Sequence, residues 1–436
     1  MRSAPFSYVF SVCIGDEAME SNMTQNNIKN ELEFLTRFNA TPDCGITRMV
    51  FSKEDLEARK YVKELMTQVG MKVTEDAIGN IFGTLEGEDR ELPPVWSGSH
   101  IDTVRNGGMF DGMVGVIGAI EACRWIKEHN VAHKRSIVAV VYTSEEPTRF
   151  GYGCIGSHAL TGHLSLEETK NLRDDEGESL YEILKQLGYS LSEFENIQKK
   201  KGDIFAHVEM HIEQAEKLEA AGLPVGVVTG ICAPSYISVS VKGVQEHAGS
   251  TQMDIRKDAL CATSEIILEV ENIARIFNDF CQNETTVGTV GKLQVLPNSP
   301  NVIPGKTSFI IDIRDVDKET KDRFVHKISA KMDEIASKRG VEVEYHLVEN
   351  DIPRRSDPNI VTVIEESCEK RDIRYMEMVS GAYHDSLLIA EIAPMAMIFV
   401  PSKDGISHDP AEFTEYSDIA LGTEVLTDTL IELANK

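Results

Sequence analysis

The sequence predicts an α/β protein in two parts: a large layered domain with a mixed sheet and flanking helices, and a smaller α+β domain of ferredoxin-like topology inserted into it. Three observations carry this. The chain has 436 residues, 42% of them hydrophobic, and single cores stop growing near roughly 250–300 residues, so two domains are expected. Apolar runs of buried-strand type alternate with helical patterns in the first half and return near the C-terminus, as in a sheet covered by helices. Between them, from near Gly230, the pattern becomes a clean alternation, YISVSVK over residues 236–242, the mark of a sheet with one face on a core.

Taken in order, residues 26–38 read as a helix, and residues 52–69 as a second that opens on Ser52 with Asp55 three residues on, a capping-box-like start. Residues 71–74 and 81–85 read as short strands around a turn at Gly79-Asn80. Residues 94–99 form a buried-type strand with polar residues at its end, and Gly112 to Glu128 is apolar with helical spacing. The run SIVAVVYT, residues 136–143, is the strongest central strand. In the second part, strand 236–242, helix 257–277, strands 286–296 and 307–314, helix 318–338 and strand 341–348 give β-α-β-β-α-β. After Pro358 the layered character returns, with an apolar run at 394–400 (PMAMIFV). The expected division is a disordered leader over 1–22, the large domain over 23–230 and 349–436, and the inserted domain over 231–348. The leader holds one Arg before a short apolar patch, a marginal signal-peptide pattern.

Lys and Arg number 44 against 71 Asp and Glu, a formal net charge of −27. So negative a surface repels nucleic acid and anionic lipid, which excludes both as partners. No apolar run reaches the roughly 18 residues that cross a membrane. The eight cysteines include no CxxC pair. They read as reduced thiols, which points to the cytoplasm.

Chemistry-bearing residues gather at the ends of the expected strands. SHIDT, residues 99–103, puts His100 and Asp102 on one face if the strand continues. Asp111 opens the next helix, where it suits a bridging cation ligand, a helix cap, or both at once. Glu145 and Glu146 follow the central strand, where sites of open α/β sheets lie. Two adjacent carboxylates there raise one another's pKa unless a cation intervenes. In AHVEMHIEQ, residues 206–214, His207, Glu209 and His211 share a face, and spacing does not choose among them. His408, in GISHDP, occupies another strand-exit loop. Imidazole and carboxylate donors without thiolate favour zinc, manganese or a similar ion.

In order, the segments SHIDT, Asp111-Gly112, EEPTRFG, EMHIEQ, EHAGS, NVIPG, DIRD, AYHDS and SHDP resemble the M20 metallopeptidase family, in its amidohydrolase and carbamoylase branch. That resemblance implies a hydrolase of non-peptide C–N bonds in linear ureido or amide substrates. It implies two divalent metal ions, manganese first, with zinc, cobalt or nickel as alternatives. One ion falls to His100, Asp111 and His211, the other to Asp111, Glu146 and His408. Glu145 is then the general base, and Asp102 orients His100. The inserted domain is implied to be a lid and dimerisation module, in which His247 of EHAGS stabilises the oxyanion from the partner of a homodimer. Gln214, Asn301, Arg314, Tyr383 and His384 resemble the contacts to a small-molecule ureido substrate. Read alone, His247 also suits a turn cap, and Arg314 an ion pair among Asp312, Asp315 and Asp317. Pro147 and Tyr383 resemble the members that act on ureidoglycolate, while carbamoyl-amino-acid and allantoate substrates are the alternative. The branch reads HIEQGP and HAGTTPM, whereas this chain has Ala215-Glu216 after Gln214 and Gln252 in place of the proline. Both departures fall on the substrate side.

Overall fold

The structure is a computed structural model that describes residues 14–281 and 285–436. In chain order its elements are α1 (Ile14–Leu35), α2 (Lys53–Val69), β1 (Lys72–Glu75), β2 (Ile81–Leu85), β3 (Val95–His100), α3 (Met113–Glu128), β4 (Ile137–Tyr142), α4 (Ile155–Thr161), α5 (Leu180–Leu187), β5 (Ala206–Ile212), α6 (Lys217–Ala221) and β6 (Val225–Ile231). Next come β7 (Ala233–Lys242), β8 (Glu246–His247), α7 (Ala259–Cys281), β9 (Val287–Leu296), β10 (Val302–Ile303), β11 (Lys306–Asp315), α8 (Lys318–Arg339), β12 (Glu342–Asn350) and β13 (Arg354–Arg355). The chain ends with α9 (Pro358–Lys370), β14 (Tyr375–Ser380), α10 (Asp385–Ile389), β15 (Met395–Val400) and α11 (Tyr416–Asn435). Residues 1–13 of the expected leader lie outside the described residues, and α1 begins at Ile14, inside the segment read as disordered.

The chain divides into two compact units. The first holds Met1–Val228, Asp357–Glu377 and Leu388–Lys436, and the second Thr229–Ser356 and Met378–Leu387. In the first, the strands run β1-β2-β4-β3-β5-β15-β6. β4, β3, β5 and β15 are mutually parallel, while β1, β2 and β6 join antiparallel, so the sheet is mixed. All six positions of β3, β4 and β15 and all seven of β5 are buried, as expected of strands with helices on both faces. Ile28, Val62, Ile117, Met210, Ile364 and Leu426 belong to the core on one face. Trp96, Val140, Tyr142 and Leu160 belong to the other. The chain runs from β3 through α3 to β4 on one side, then places β5 on the other side of β3. The β3/β5 pair is therefore a topological switch point, where open sheets form their crevice.

The second unit has a four-stranded antiparallel sheet ordered β12-β7-β11-β9. With α7 after β7 and α8 after β11 this is the split β-α-β arrangement. Ile237, Val239 and Val241 of β7 and Phe309, Ile311 and Ile313 of β11 face Ile266, Val270, Phe324 and Ile328 of the helices. The alternation read in YISVSVK is the inward face of this sheet. Among the described residues no helix is long and apolar enough to cross a membrane.

Candidate metal centre

Four parallel strands deliver the site from their carboxyl ends. β3 ends on His100, Glu145 and Glu146 follow β4, His211 stands next to last in β5, and His408 lies in the loop after β15. Three turns there hold non-glycine residues in the left-handed region: Ser144 at φ 55°, Gln214 at φ 59° and His408 at φ 58°. Such backbone is costly and persists where the surroundings over-determine it.

Asp111 stands at the centre. Its Oδ1 lies 3.4 Å from His100 Nε2 and 3.3 Å from His211 Nε2. Its Oδ2 lies 3.3 Å from His408 Nε2, which is also 3.3 Å from Glu146 Oε1. This geometry bears on whether Asp111 serves as a ligand or a helix cap. The cap of α3 is Gly112, with no side-chain cap bond, and the Asp111 carboxylate faces the imidazoles. Gly112 has φ +70°, and a Cβ there would fall 2.5 Å from His100 Cε1 and Nε2. Only glycine lets the ring come this close.

The three candidates on β5 separate in the same way. His211 reaches Asp111. Glu209 accepts the Ser99 hydroxyl at 2.7 Å. His207, four residues nearer the start of the strand, meets Tyr142 edge-on with ring centres 5.9 Å apart, and burial lowers its pKa to about 3.

The tautomers of the two buried imidazoles are set by main chain. His100 Nδ1 lies 3.0 Å from the Asp102 carbonyl, and His211 Nδ1 lies 3.0 Å from the Ile212 carbonyl. Each Nδ1–H therefore donates, which leaves each Nε2 as the acceptor nitrogen: that of His100 is turned toward Asp111, and that of His211 faces Asp111 and accepts the Gly112 N–H at 3.1 Å. The Asp102 side chain, expected to orient His100, has its Oδ1 3.8 Å from His100 Nδ1, farther than the Asp102 carbonyl. β3 stops at His100, so the alternation does not continue. The Asp102 carboxylate also accepts the backbone N–H groups of Glu145 at 3.2 Å and Glu146 at 3.1 Å, fixing the turn that presents both glutamates. The Glu145 carboxylate is 3.8 Å from His100 Nε2.

Lone pairs facing carboxylate oxygens at such distances require a proton or a cation between them. As bare groups they take protons. Burial opposes charge on His100, but Glu145, Asp111 and Asp102 outweigh it and raise its pKa well above the usual value. The Asp111 hydrogen bond, with Glu146 nearby, lifts His408 to about 9 against burial. Burial and Asp111 push Glu146 to about 7. Divalent ions fit the same gaps. Donors about 2.1 Å from one ion stand roughly 3.4 Å apart along a tetrahedral edge, and the pairs around Asp111 are separated by 3.3 to 3.4 Å. Two donor triplets share Asp111, His100–Asp111–His211 and Asp111–Glu146–His408.

Gln214, expected on the substrate side, places its Nε2 2.7 Å from Asp111 Oδ2 and 3.5 Å from His408 Nε2. The other expected substrate residues belong to the second unit. His247 is exposed, and its Nδ1 accepts the N–H groups of Gly249 at 3.0 Å and Ser250 at 3.1 Å. Its Nε2–H is thus free to act as a donor. β8 pairs with β10, and the Asn301 carbonyl accepts the Ala248 N–H at 3.0 Å, so EHAGS and NVIPG lie side by side. Arg314 forms the ion pair that composition allowed, with its Nη2 3.1 Å from Asp312 Oδ2, and Nη1 donates to the Gly381 carbonyl. Tyr383 and His384 pack with this unit rather than with the C-terminal segment to which the sequence reading gave them. The turn after β14 carries them there, since Cys232 N–H bonds the Ser380 carbonyl and Ser380 Oγ bonds buried His384.

Sequence reasoning missed several supports. Buried Arg48 donates to the carbonyls of Phe38, Ile101 and Leu35, tying the end of α1 to the residue after His100. Burial lowers it to about 10, so it stays charged at neutral pH. Glu412 and Ser407 bracket His408. No spacing rule distinguishes Glu412 from the other acids, although it lies four residues after His408 in the same short loop.

Paired imidazole–carboxylate triplets sharing one aspartate, at the carboxyl ends of parallel strands, suit a hydrolase that works with divalent cations. Residues 96–432 match the model of Peptidase family M20/M25/M40, and the chain belongs to that family. It is a hydrolase of C–N bonds. It is 39% identical over 413 residues to a ureidoglycolate hydrolase of Oryza sativa subsp. japonica, covering 94% of this chain and 84% of that one. It is also 39% identical over 412 residues to an N-carbamoyl-L-amino-acid amidohydrolase of Pseudomonas sp. (strain NS671), covering 94% of this chain and 98% of that one. Among solved structures, that of AtUAH in complex with glyoxylate superposes with a TM-score of 0.80 at 39% identity, covering 94% of this chain and 98% of that one.

Proposed function

We propose that this protein hydrolyses a small ureido acid, with ureidoglycolate as the substrate and Mn²⁺ as the metal. The observation that carries the chemistry is Asp111 shared between two donor triplets, with Glu145 beside them. When bound, the two ions supply Lewis acidity to the scissile carbonyl and acidify a water. His100, Asp111 and His211 hold one ion, and Asp111, Glu146 and His408 the other. Glu145 takes a proton from the attacking water and returns it to the departing nitrogen. His247, with Nε2–H free, donates to the oxyanion. Arg314 and Asn301 are the proposed contacts to the substrate carboxylate and ureido group, and Gln214, Tyr383 and His384 are further proposed substrate contacts.

Water adds to the ureido carbonyl and the bond to the α-nitrogen breaks, leaving carbamate and hydroxyglycine. Carbamate falls to carbon dioxide and ammonia, and hydroxyglycine loses ammonia to give glyoxylate. Pro147 and Tyr383 support this substrate, as does the relative named for it. A second reading, an N-carbamoyl-L-amino acid or allantoate hydrolase, is supported by the equal identity to the Pseudomonas enzyme. A homodimer is part of the proposal. Leu268 and Phe280 of α7 and Leu293 and Leu296 of the edge strand β9 are exposed apolar residues that a second copy would cover.

The test is ammonia and carbon dioxide release from ureidoglycolate, allantoate and N-carbamoyl amino acids with added Mn²⁺. Ureidoglycolate should give ammonia and carbon dioxide at two to one, with glyoxylate. Turnover of carbamoyl amino acids alone, at one to one, rejects the substrate.

A further inference from the structure

We infer that Glu412 is a positioning residue that locks the Asp111 turn to the His408 loop and thereby sets affinity for the ion those two residues share. The inference rests on the donor sets proposed above. Glu412 is 5% exposed. Its Oε1 accepts the backbone N–H of Phe110 at 2.9 Å and of Asp111 at 3.0 Å. Its Oε2 accepts the backbone N–H of His408 at 3.3 Å and lies 3.0 Å from Ser407 Oγ, which is itself 3.0 Å from Asp111 Oδ2. One carboxylate thus grips the main chain at Asp111 and at His408, which are far apart in sequence.

The surroundings are shaped around it. A Cβ at Gly108 would lie 2.2 Å from Glu412 Oε1 and 2.4 Å from its Cβ and Cδ, so glycine is required for the carboxylate to sit where it does. His408 needs such a clamp. Its side chain is 48% exposed and its backbone is left-handed at φ 58°, so little packing holds it. His100 and His211 are 2% and 1% exposed and stand on strands. Loosening the Oε2 half of the clamp, which holds His408, therefore falls on one triplet and spares the other.

Glu412→Gln separates the two halves. The amide oxygen can keep the Phe110 and Asp111 bonds, while its NH₂ group meets the His408 N–H donor to donor. The experiment titrates Mn²⁺ into the chelator-stripped full chain by calorimetry, alongside thermal melting. His408→Ala identifies which of the two binding events belongs to the His408 triplet. Glu412→Gln should weaken that event ~10–100-fold and leave the other at its wild-type affinity. Gly108→Ala, which displaces Oε1 and with it the Asp111 turn common to both triplets, should weaken both events; if Glu412→Gln does not fold, a folded Gly108→Ala that binds both ions as wild type overturns the inference. A folded Glu412→Gln that binds both ions as wild type, or weakens both equally, overturns the inference. Two unchanged events in His408→Ala would instead reject the donor sets.

Discussion

Gly112→Ala tests the site through its tightest contact. The new methyl would lie 2.5 Å from His100 Cε1 and Nε2 and 2.6 Å from Cδ2. Ordinary carbon contacts are about 3.5 Å or more, so ring or turn must retreat by about 1 Å. Metal–ligand distances tolerate about 0.2 Å, and His100 would also lose its 3.0 Å bond to the Asp102 carbonyl. The positive-φ backbone, φ 70° with ψ −43°, adds about 1–2 kcal/mol for alanine, and overpacking about 1–3 kcal/mol. A loss of about 2–5 kcal/mol follows, on the order of 10 °C in melting temperature. Turnover should fall about 10²-fold, as a misplacement of this size does. Gly177→Ala is the control. Gly177 also has positive φ, +84°, but nothing lies within 4 Å of an added Cβ, so it isolates the backbone cost. The assay pairs thermal melting with Mn²⁺ titration and turnover. A Gly112→Ala protein that melts with the control and binds both ions as wild type would refute the placement of His100 against Gly112.

Glu145→Gln should keep its melting temperature and both ions yet lose about 10²–10⁴ in turnover; retained turnover means another group is the base. His207 should make the protein acid-labile. Its folded pKa is near 3 against about 6.5 unfolded, so as pH falls the unfolded chain takes the proton first. Stability is then lost from about pH 6.5 down to 3, and about 2 kcal/mol has gone by pH 5. Urea titrations at pH 7.5 and 5 should show His207→Leu losing about 2 kcal/mol less than wild type; equal losses would mean His207 is not held neutral. Arg48→Met should cost about 3–5 kcal/mol in urea unfolding, because it strands buried carbonyls at Leu35, Phe38 and Ile101. A cost below about 1 kcal/mol would mean that water already serves those carbonyls.

Long periodic elements were legible in the sequence, and short ones were not. SIVAVVYT became β4, and Ser52 caps α2 by accepting the Asp55 N–H. α5 went unread although Ser179 and Glu182 form a full capping box, a signal present in SLYE. α4 gave less warning, since it is short, contains glycine and starts from a left-handed Cys154. At the site, residue types could be read but not their assignments. Whether His207 or His211 faces the crevice depends on where β5 ends relative to β3, which is a matter of register. The Asp102 role turned on β3 stopping at His100, which a pattern of alternation does not reveal. Arg48 and Glu412 act mainly through backbone atoms of distant segments, and side-chain patterns carry no trace of such bonds.

Main-chain carbonyls at Asp102 and Ile212 fix the tautomers of His100 and His211. Where a carboxylate side chain does this instead, its loss by mutation misaligns the ligand. Here the orienting groups survive any substitution at those two positions that preserves the backbone. The ligand geometry is thus inherited from the fold, insulated from drift in its immediate neighbours. The substrate side can then vary, as at Ala215-Glu216 and Gln252, while the metal-binding end keeps its aim.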